Sequence, residues 1–453
     1  MLVEMSIADV CRVLNIAVPA GAEQMVCRGV STDTRKIQPG DLYIALKGER
    51  FNGNQFAGQA LKQGAVAAIV DELVDANGTV LTVESGLLAL GKIAGWQRQQ
   101  FSGKVIAVTG SCGKTSVKQL LAHVLSSQFN TWMTQGNLNN HIGVPLTLLA
   151  LSAEHEAAVI EQGASGAGEI AYTGQWVEPD IGIITNASAS HLSGFGSLET
   201  IVSTKGEMVE EVPSGGWVVL NRDDPAFDVW RQRAAERRVR TFGLCESADV
   251  RATDVSISLG RSEFVVHAGA DKCAVSLPLA GAHNVCNALA VIAAALLAGL
   301  NLEQIAIALA SAQPVAGRML EKPGIHGIRL LDDSYNANPA SLRAAIDVIT
   351  VAPYSWLVIG DMAELGEEAK EAHAQIGRYA KQQGVHRLLA TGPLAREAVA
   401  AFGEPEALWF EEREALVAYI TKSAPDGTLL LIKGSRSAGM DRVVHALQRY
   451  PEE

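Results

Sequence analysis

Seven consecutive residues, Gly110-Ser-Cys-Gly-Lys-Thr-Ser116, supply the parts of a phosphate-binding loop. Glycines let the backbone curl around an anion, successive N–H groups point inward, and a following helix adds its N-terminal dipole. Lys114 can reach the β- and γ-phosphates of a nucleotide, and the Thr115 hydroxyl can coordinate Mg²⁺. The usual pattern has a glycine six residues before the lysine, where this chain has Val108. The competing reading is a Gly-rich turn with an incidental lysine. A phosphate loop by itself says only nucleotide, since kinases, ATPases, GTPases and ligases all use one.

Other residues could join this chemistry. Glu161 follows the apolar run of residues 157–160, which puts a carboxylate at the C-terminal end of a strand. Ligands of open α/β sheets bind there, and Thr115 with Glu161 would offer oxygen ligands to a first Mg²⁺. A solvated strand-end acid is the alternative. Ser31-Thr-Asp-Thr-Arg35 and Lys47 combine hydroxyls and cations that suit a pyrophosphate, or a capped turn with solvated charges. Lys433 and Arg436, in Lys433-Gly-Ser-Arg436, could pair with a carboxylate, cap a helix or face solvent.

The elements that must position these residues follow from periodicity. Val105-Ile-Ala-Val-Thr109 reads as a strand running into the loop, and residues 116–127 as the helix leaving it. Short apolar strands at 157–160, 181–185 and 217–220 alternate with helical patterns, which implies a mostly parallel sheet. Residues 250–278 alternate like antiparallel strands, and helices over about 284–311 close the region. Before it, a helix over 5–14 and strands at 42–46, 67–70 and 80–83 make a small α/β unit, and residues 86–100 look helical. After Gln313-Pro314 the rhythm restarts, with strands at 328–331, 356–359, 387–390 and 429–432. The expected fold class is α/β in three domains. Residues 1–82 form a small N-terminal domain, 83–314 a central P-loop ATPase-like domain with a mostly parallel sheet, and 315–453 a C-terminal Rossmann-like domain.

Composition narrows the function classes. The 453 residues carry a formal net charge of -12, which argues against nucleic-acid binding because that needs a basic footprint. The six cysteines form no C-x-x-C pair or metal-ligand spacing, so a reduced, cytoplasmic protein is expected. The start, MLVEMSIADV, lacks a basic region followed by an apolar one, and no signal peptide is expected. The most apolar run, residues 285–300, is interrupted by Asn287 and is shorter than the roughly 20 residues of a membrane span. It reads as a buried helix.

The shortened loop T-G-x-x-G-K-T resembles that of the Mur ligases and their folylpolyglutamate synthetase relatives. Further segments resemble the same family: Gly136-Asn-Leu-Asn-Asn-His-Ile-Gly-Val-Pro145, His191-Leu-Ser-Gly-Phe-Gly-Ser197, Lys205-Gly-Glu207, His283-Asn284 with Asn287, and Gly317-Arg318. So do Leu331-Asp-Asp-Ser-Tyr-Asn-Ala-Asn338, Gly360-Asp-Met-Ala-Glu-Leu-Gly366 and Lys433-Gly-Ser-Arg436. Cys112 stands where the family usually has a small polar residue, and Glu161-Gln-Gly-Ala-Ser165 also departs from the usual pattern.

The resemblance implies an ATP-dependent amide ligase. A carboxylate is phosphorylated, an amine attacks the acyl phosphate, and phosphate leaves, so the site needs charge neutralisation and positioning more than covalent groups. It assigns Gly110, Ser111, Cys112, Gly113, Lys114, Thr115 and Ser116 to ATP phosphates, and His283, Asn284 and Asn287 to adenine. Arg318 would face the γ-phosphate and Asp333 the ribose. It makes Lys114, Lys205 and His191 catalytic. Thr115, Glu161, His191 and a carbamylated Lys205 would be ligands of Mg²⁺. Taken alone, Lys205 reads as a surface lysine, His191 as a loop histidine and Asn284 as a helix cap. Asn137, Asn139, Asn140, Tyr335, Asn336, Asn338, Lys433 and Arg436 would touch substrates, and Ser31, Thr32, Asp33, Thr34, Arg35 and Lys47 the uridine diphosphate.

Within the family the implied substrates are UDP-N-acetylmuramoyl-tripeptide and D-alanyl-D-alanine, handled by a monomer. The sister ligase that adds the third peptide residue carries D-N-P-R in its C-terminal domain, a run absent here. Folylpolyglutamate synthetases begin almost directly with the central domain. A regulatory P-loop ATPase would leave the second metal set and the last domain without a purpose.

Overall fold

The computed structural model describes residues 1–49, 51–189 and 192–450. His191, expected at the metal site, lies outside the described residues. The first unit opens with the helix Ile7–Leu14, capped by Ser6, whose hydroxyl accepts the Asp9 N–H while Asp9 reaches back to the Ser6 backbone. Its four-stranded sheet is wholly parallel, in the order Gly29–Ser31, Asp41–Ile44, Ala67–Val70, Val80–Thr82. The helix Gly86–Gln99 joins this unit to the next: Gln97 exchanges two hydrogen bonds with the Val3 backbone, and Arg98 donates to Val177 O and Glu178 O. One continuous apolar core runs from Ile7 and Leu42 through Ile93 to Val105 and Leu148.

The central sheet begins with parallel strands in the order Thr131–Met133, Ala157–Glu161, Lys104–Thr109, Ile181–Ile184, Trp217–Asn221, Arg238–Gly243. Val250–Ser258, Arg261–Ala268 and Asp271–Leu277 extend it as an antiparallel meander. The apolar run expected to be a buried helix is Ala282–Ala298, packed with Lys114–Leu125 over one face of the sheet. No helix among the described residues is long and apolar enough to cross a membrane. From Lys104–Thr109 the chain builds strands first on one side and then on the other. That reversal opens a crevice at its C-terminal end, where the phosphate loop sits.

The last sheet runs Leu320–Pro323, Arg329–Asp333, Leu429–Lys433, Ser355–Ile359, Arg387–Thr391, Ala407–Phe410, parallel except for its first strand. Its final strand inserts between the second and third, so Asp333 and Lys433 become register neighbours. Apolar layers cover both faces.

Candidate active site

The phosphate loop is held in shape by the strand end beside it. Cys112 N–H donates to Asn186 Oδ1 at 2.9 Å, and Cys112 O accepts from Thr185 Oγ1 at 2.6 Å and Asn186 Nδ2 at 3.0 Å. Gly113 precedes the helix Lys114–Leu125 with φ 85°. A Cβ there would stand 2.4 Å from Asn287 Oδ1, so both the backbone and the neighbour demand glycine. Lys114 folds back over the loop, its Nζ donating to Gly110 O at 2.5 Å and Ser111 O at 3.3 Å. Burial lowers its pKa, opposed by the nearby Glu161 carboxylate. A bound phosphate would supply the countercharge that burial withholds.

Glu161 ends its strand inside this crevice and is 2% exposed, so it is no solvated acid. Its Oε1 accepts from Thr115 Oγ1 at 3.2 Å and Asn139 Nδ2 at 2.8 Å. Its Oε2 is buried with no directed hydrogen bond, although Lys118 Nζ lies 3.2 Å away. A carboxylate oxygen with spare acceptor capacity beside a threonine hydroxyl fits a hard cation, and Thr115 with Glu161 could hold Mg²⁺. Lys205 is 1% exposed, not a surface lysine. Its Nζ lies 3.4 Å from Ala164 O and 5.1 Å from the Phe195 ring centroid, directly behind the crevice wall. Burial, with the Lys114 charge adding to it, lowers its pKa to about 7.

His283, Asn284 and Asn287 stand on the first turns of Ala282–Ala298. Asn284 is not the cap; Gly281 occupies that position without a side-chain bond, and Asn284 Nδ2 instead donates to Ala280 O at 2.8 Å. Burial lowers the His283 pKa, with Asp333 opposing.

From the C-terminal sheet, Lys433 Nζ meets Asp333 Oδ2 at 2.5 Å and donates to Asn336 O at 2.9 Å. The two groups expected to take separate ligands therefore neutralise each other, both almost fully buried. Arg318 lies over the Tyr335 ring at 4.2 Å. Asn338 caps the helix Pro339–Ile349 through Ser341 N–H, and its Nδ2 donates to Cys112 Sγ at 3.1 Å. The Gly360–Gly366 loop also reaches the central unit, with Glu364 O accepting from Ser193 N–H at 3.4 Å. His373 holds that loop: its Nε2 accepts the Met362 N–H at 2.9 Å.

These groups enclose a cavity of about 740 Å³. Ser111, Cys112, Gly113, Lys114, Thr115, Ser116, Asn137, Asn139, Asn140 and Glu161 line it from the central unit, with His283, Asn284 and Asn287. Arg318, Asp333, Tyr335, Asn336, Asn338 and Lys433 complete it. Arg436 lies outside it, beside a second cavity of about 290 Å³, with its guanidinium 3.5 Å from Asp441. Ser31, Thr32, Asp33, Thr34, Arg35 and Lys47 are also outside. Asp33 binds Arg35 at 2.8 Å, and Lys47 binds Glu72 at 2.5 Å. Sequence reasoning missed Thr185, Asn186 and Lys118. The signal for Lys118 was its place four residues after Lys114, on the same helix face.

Residues 108–295 match the Mur ligase middle domain, 317–436 the Mur ligase glutamate ligase domain, and 26–95 the Mur ligase family catalytic domain. The chain is 42% identical over 423 residues to the UDP-N-acetylmuramoyl-tripeptide–D-alanyl-D-alanine ligase of Escherichia coli (strain K12), covering 92% of this chain and 93% of that protein. The chain belongs to the Mur ligase family. A crystal structure of MurF from Acinetobacter baumannii superimposes with TM-score 0.92 at 33% identity, covering 98% of both chains. MurF ligase from Thermotoga maritima, solved in complex with ADP, gives 0.85 at 28% identity, covering 92% of this chain and 96% of that one. As a Mur ligase the chain is an ATP-dependent ligase with the three-part α/β architecture its sequence implies.

Proposed function

We propose that this Mur ligase joins D-alanyl-D-alanine to the tripeptide of UDP-N-acetylmuramoyl-tripeptide, acting as a cytoplasmic monomer with ATP and Mg²⁺. The carrying observation is the cavity in which Lys114, Asn139, Glu161 and Arg318 converge from four segments of chain. The E. coli relative is named for the same reaction. Bound ATP supplies the phosphoryl group that turns the acceptor carboxylate into an acyl phosphate. Lys114 neutralises charge on the transferring group and Thr115 with Glu161 holds Mg²⁺. A carbamylated Lys205, with His191, holds a second one. His283, Asn284 and Asn287 flank adenine. Arg318 approaches the γ-phosphate from the C-terminal side, and Asp333, paired with Lys433, faces the ribose. Asn137, Asn139 and Asn140 position the acceptor, whose uridine diphosphate is held by Ser31, Thr32, Asp33, Thr34, Arg35 and Lys47. Tyr335, Asn336, Asn338, Lys433 and Arg436 serve the donor side. Residues 1–82, 83–314 and 315–453 are the three domains.

The assay that tests this pairs each UDP-linked acceptor, dipeptide or tripeptide, with D-alanyl-D-alanine, L-lysine or meso-diaminopimelate. Ligation of D-alanyl-D-alanine to the tripeptide acceptor alone is expected. A free diamino acid ligated to the dipeptide acceptor, with no use of D-alanyl-D-alanine, would assign the sister reaction instead.

Domain approach is the second expectation. The first and central units share one apolar core, whereas the last unit builds two clusters of its own residues, joined among the described residues by Ala280, Ile257 and Leu259 of the central unit. Across the cleft itself the contacts are polar ones such as Asn338 to Cys112, a junction of the kind that lets domains move. Small-angle scattering should show a smaller radius of gyration once ATP and the tripeptide acceptor are both added. An unchanged curve at saturation would refute closure.

A further inference from the structure

Lys118 is a fully buried lysine that the proposed chemistry does not use. Its side chain is 0% exposed and that of Glu161 is 3% exposed, and their charged atoms lie 3.2 Å apart. The same Nζ donates to Gly136 O at 3.2 Å. Gly136 begins the loop that carries Asn137, Asn139 and Asn140 into the cavity. Asn139 returns to Glu161 from that loop, its Nδ2 on Oε1 at 2.8 Å. The loop and the carboxylate are thus tied twice, once through Asn139 and once through Lys118.

Burying a lysine is costly, and a buried ion pair is weak as a device for stability alone. An apolar side chain on this buried stretch of helix would cost less. What the ammonium adds is direction: one cation reaches a carboxylate oxygen and a carbonyl on different segments. It leaves Glu161 Oε2 without a directed hydrogen bond, so the carboxylate is located while its acceptor capacity stays open.

We infer that Lys118 is a positioning residue that locks the 136–140 loop to Glu161, so that the acceptor-side asparagines and the proposed cation carboxylate are set as one unit. The inference rests on the proposed role of Glu161 at the cation. Removing the ammonium frees the loop. It also removes a positive charge beside the carboxylate, which tightens divalent-cation binding there.

The test uses the full chain and needs no turnover. Hydrogen exchange is followed across residues 134–142 in wild type, Lys118→Met, Glu161→Gln and the double variant. The double variant avoids stranding a buried carboxylate. Lys118→Met should speed exchange in that loop about tenfold or more, the equivalent of one lost charge-assisted hydrogen bond, and leave the strand Lys104–Thr109 unchanged. The double variant should exchange faster than Glu161→Gln alone, because the Gly136 bond is lost as well. Mn²⁺ with ADP, read by electron paramagnetic resonance, should bind more tightly to Lys118→Met than to wild type. Loop exchange equal to wild type in Lys118→Met, or equal in the double variant and Glu161→Gln where the single variant does not fold, overturns the inference. So does unchanged Mn²⁺ affinity together with a general loss of stability, which marks a structural ion pair. Full Mn²⁺ binding by Glu161→Gln would instead overturn the cation role of Glu161, and failure of the ligation assay the proposed reaction.

Discussion

Lys114→Ala should abolish acyl-phosphate formation while the chain stays folded. Among the described residues, Lys114 Nζ bonds only to carbonyls of its own loop, Gly110 O and Ser111 O. Losing these loosens one turn whose shape is held independently by Thr185 and Asn186. What the variant cannot replace is a positive charge among the phosphates. Removing a cation that stabilises phosphoryl transfer costs roughly 10³-fold or more in rate. The measurement is ADP release with the acceptor alone, or trapping of the acyl phosphate by borohydride, with circular dichroism as the control for folding. Near-normal turnover in a folded variant would exclude Lys114 from the phosphate site.

Lys205→Ala should be nearly as damaging and partly repairable. The side chain is buried, and its Nζ meets the Ala164 carbonyl and the Phe195 ring. Burial favours the neutral amine, and its pKa falls to about 7. The sign matters: a lowered pKa means that near pH 7 about half the side chain is free amine, against roughly one in three thousand for an ordinary lysine. Carbon dioxide adds to the free amine with loss of one proton, and the product carries two oxygens suited to Mg²⁺. We expect activity to fall on the order of 10²-fold in Lys205→Ala, the scale seen when groups supporting a metal site are removed. Formate or acetate should restore part of it by supplying the missing oxygens. Mass spectrometry of native wild-type protein should show a gain equal to one carbon dioxide on this residue. High-resolution density for an unmodified lysine in active protein would sink the assignment.

Much of the site was legible because its signals are local. The phosphate loop is one contiguous segment between a strand and a helix, and Glu161 closes an apolar run. Helix starts likewise depend on neighbours in sequence, as with Ser6 and Asp9 or Asn338 and Ser341. The strands at 131–133, 238–243 and 407–410 escaped notice. They are short or polar at their ends, and Arg238 and Arg240 break the apolar pattern. Their partners, distant in sequence, make them strands.

By itself the sequence determined the α/β class, the nucleotide loop and the family, because each is written in residue types at short spacing. It could not say which charges would meet. Asp333 and Lys433 are 100 residues apart and pair only because the last strand inserts beside Arg329–Asp333. Arg436, three residues after Lys433, lines a second cavity instead and lies 3.5 Å from Asp441. Lys205 and Lys118 became fully buried, though lysine as a residue type predicts exposure. Those outcomes depend on long-range packing, where desolvation and partner charge, not local pattern, set what a side chain can do.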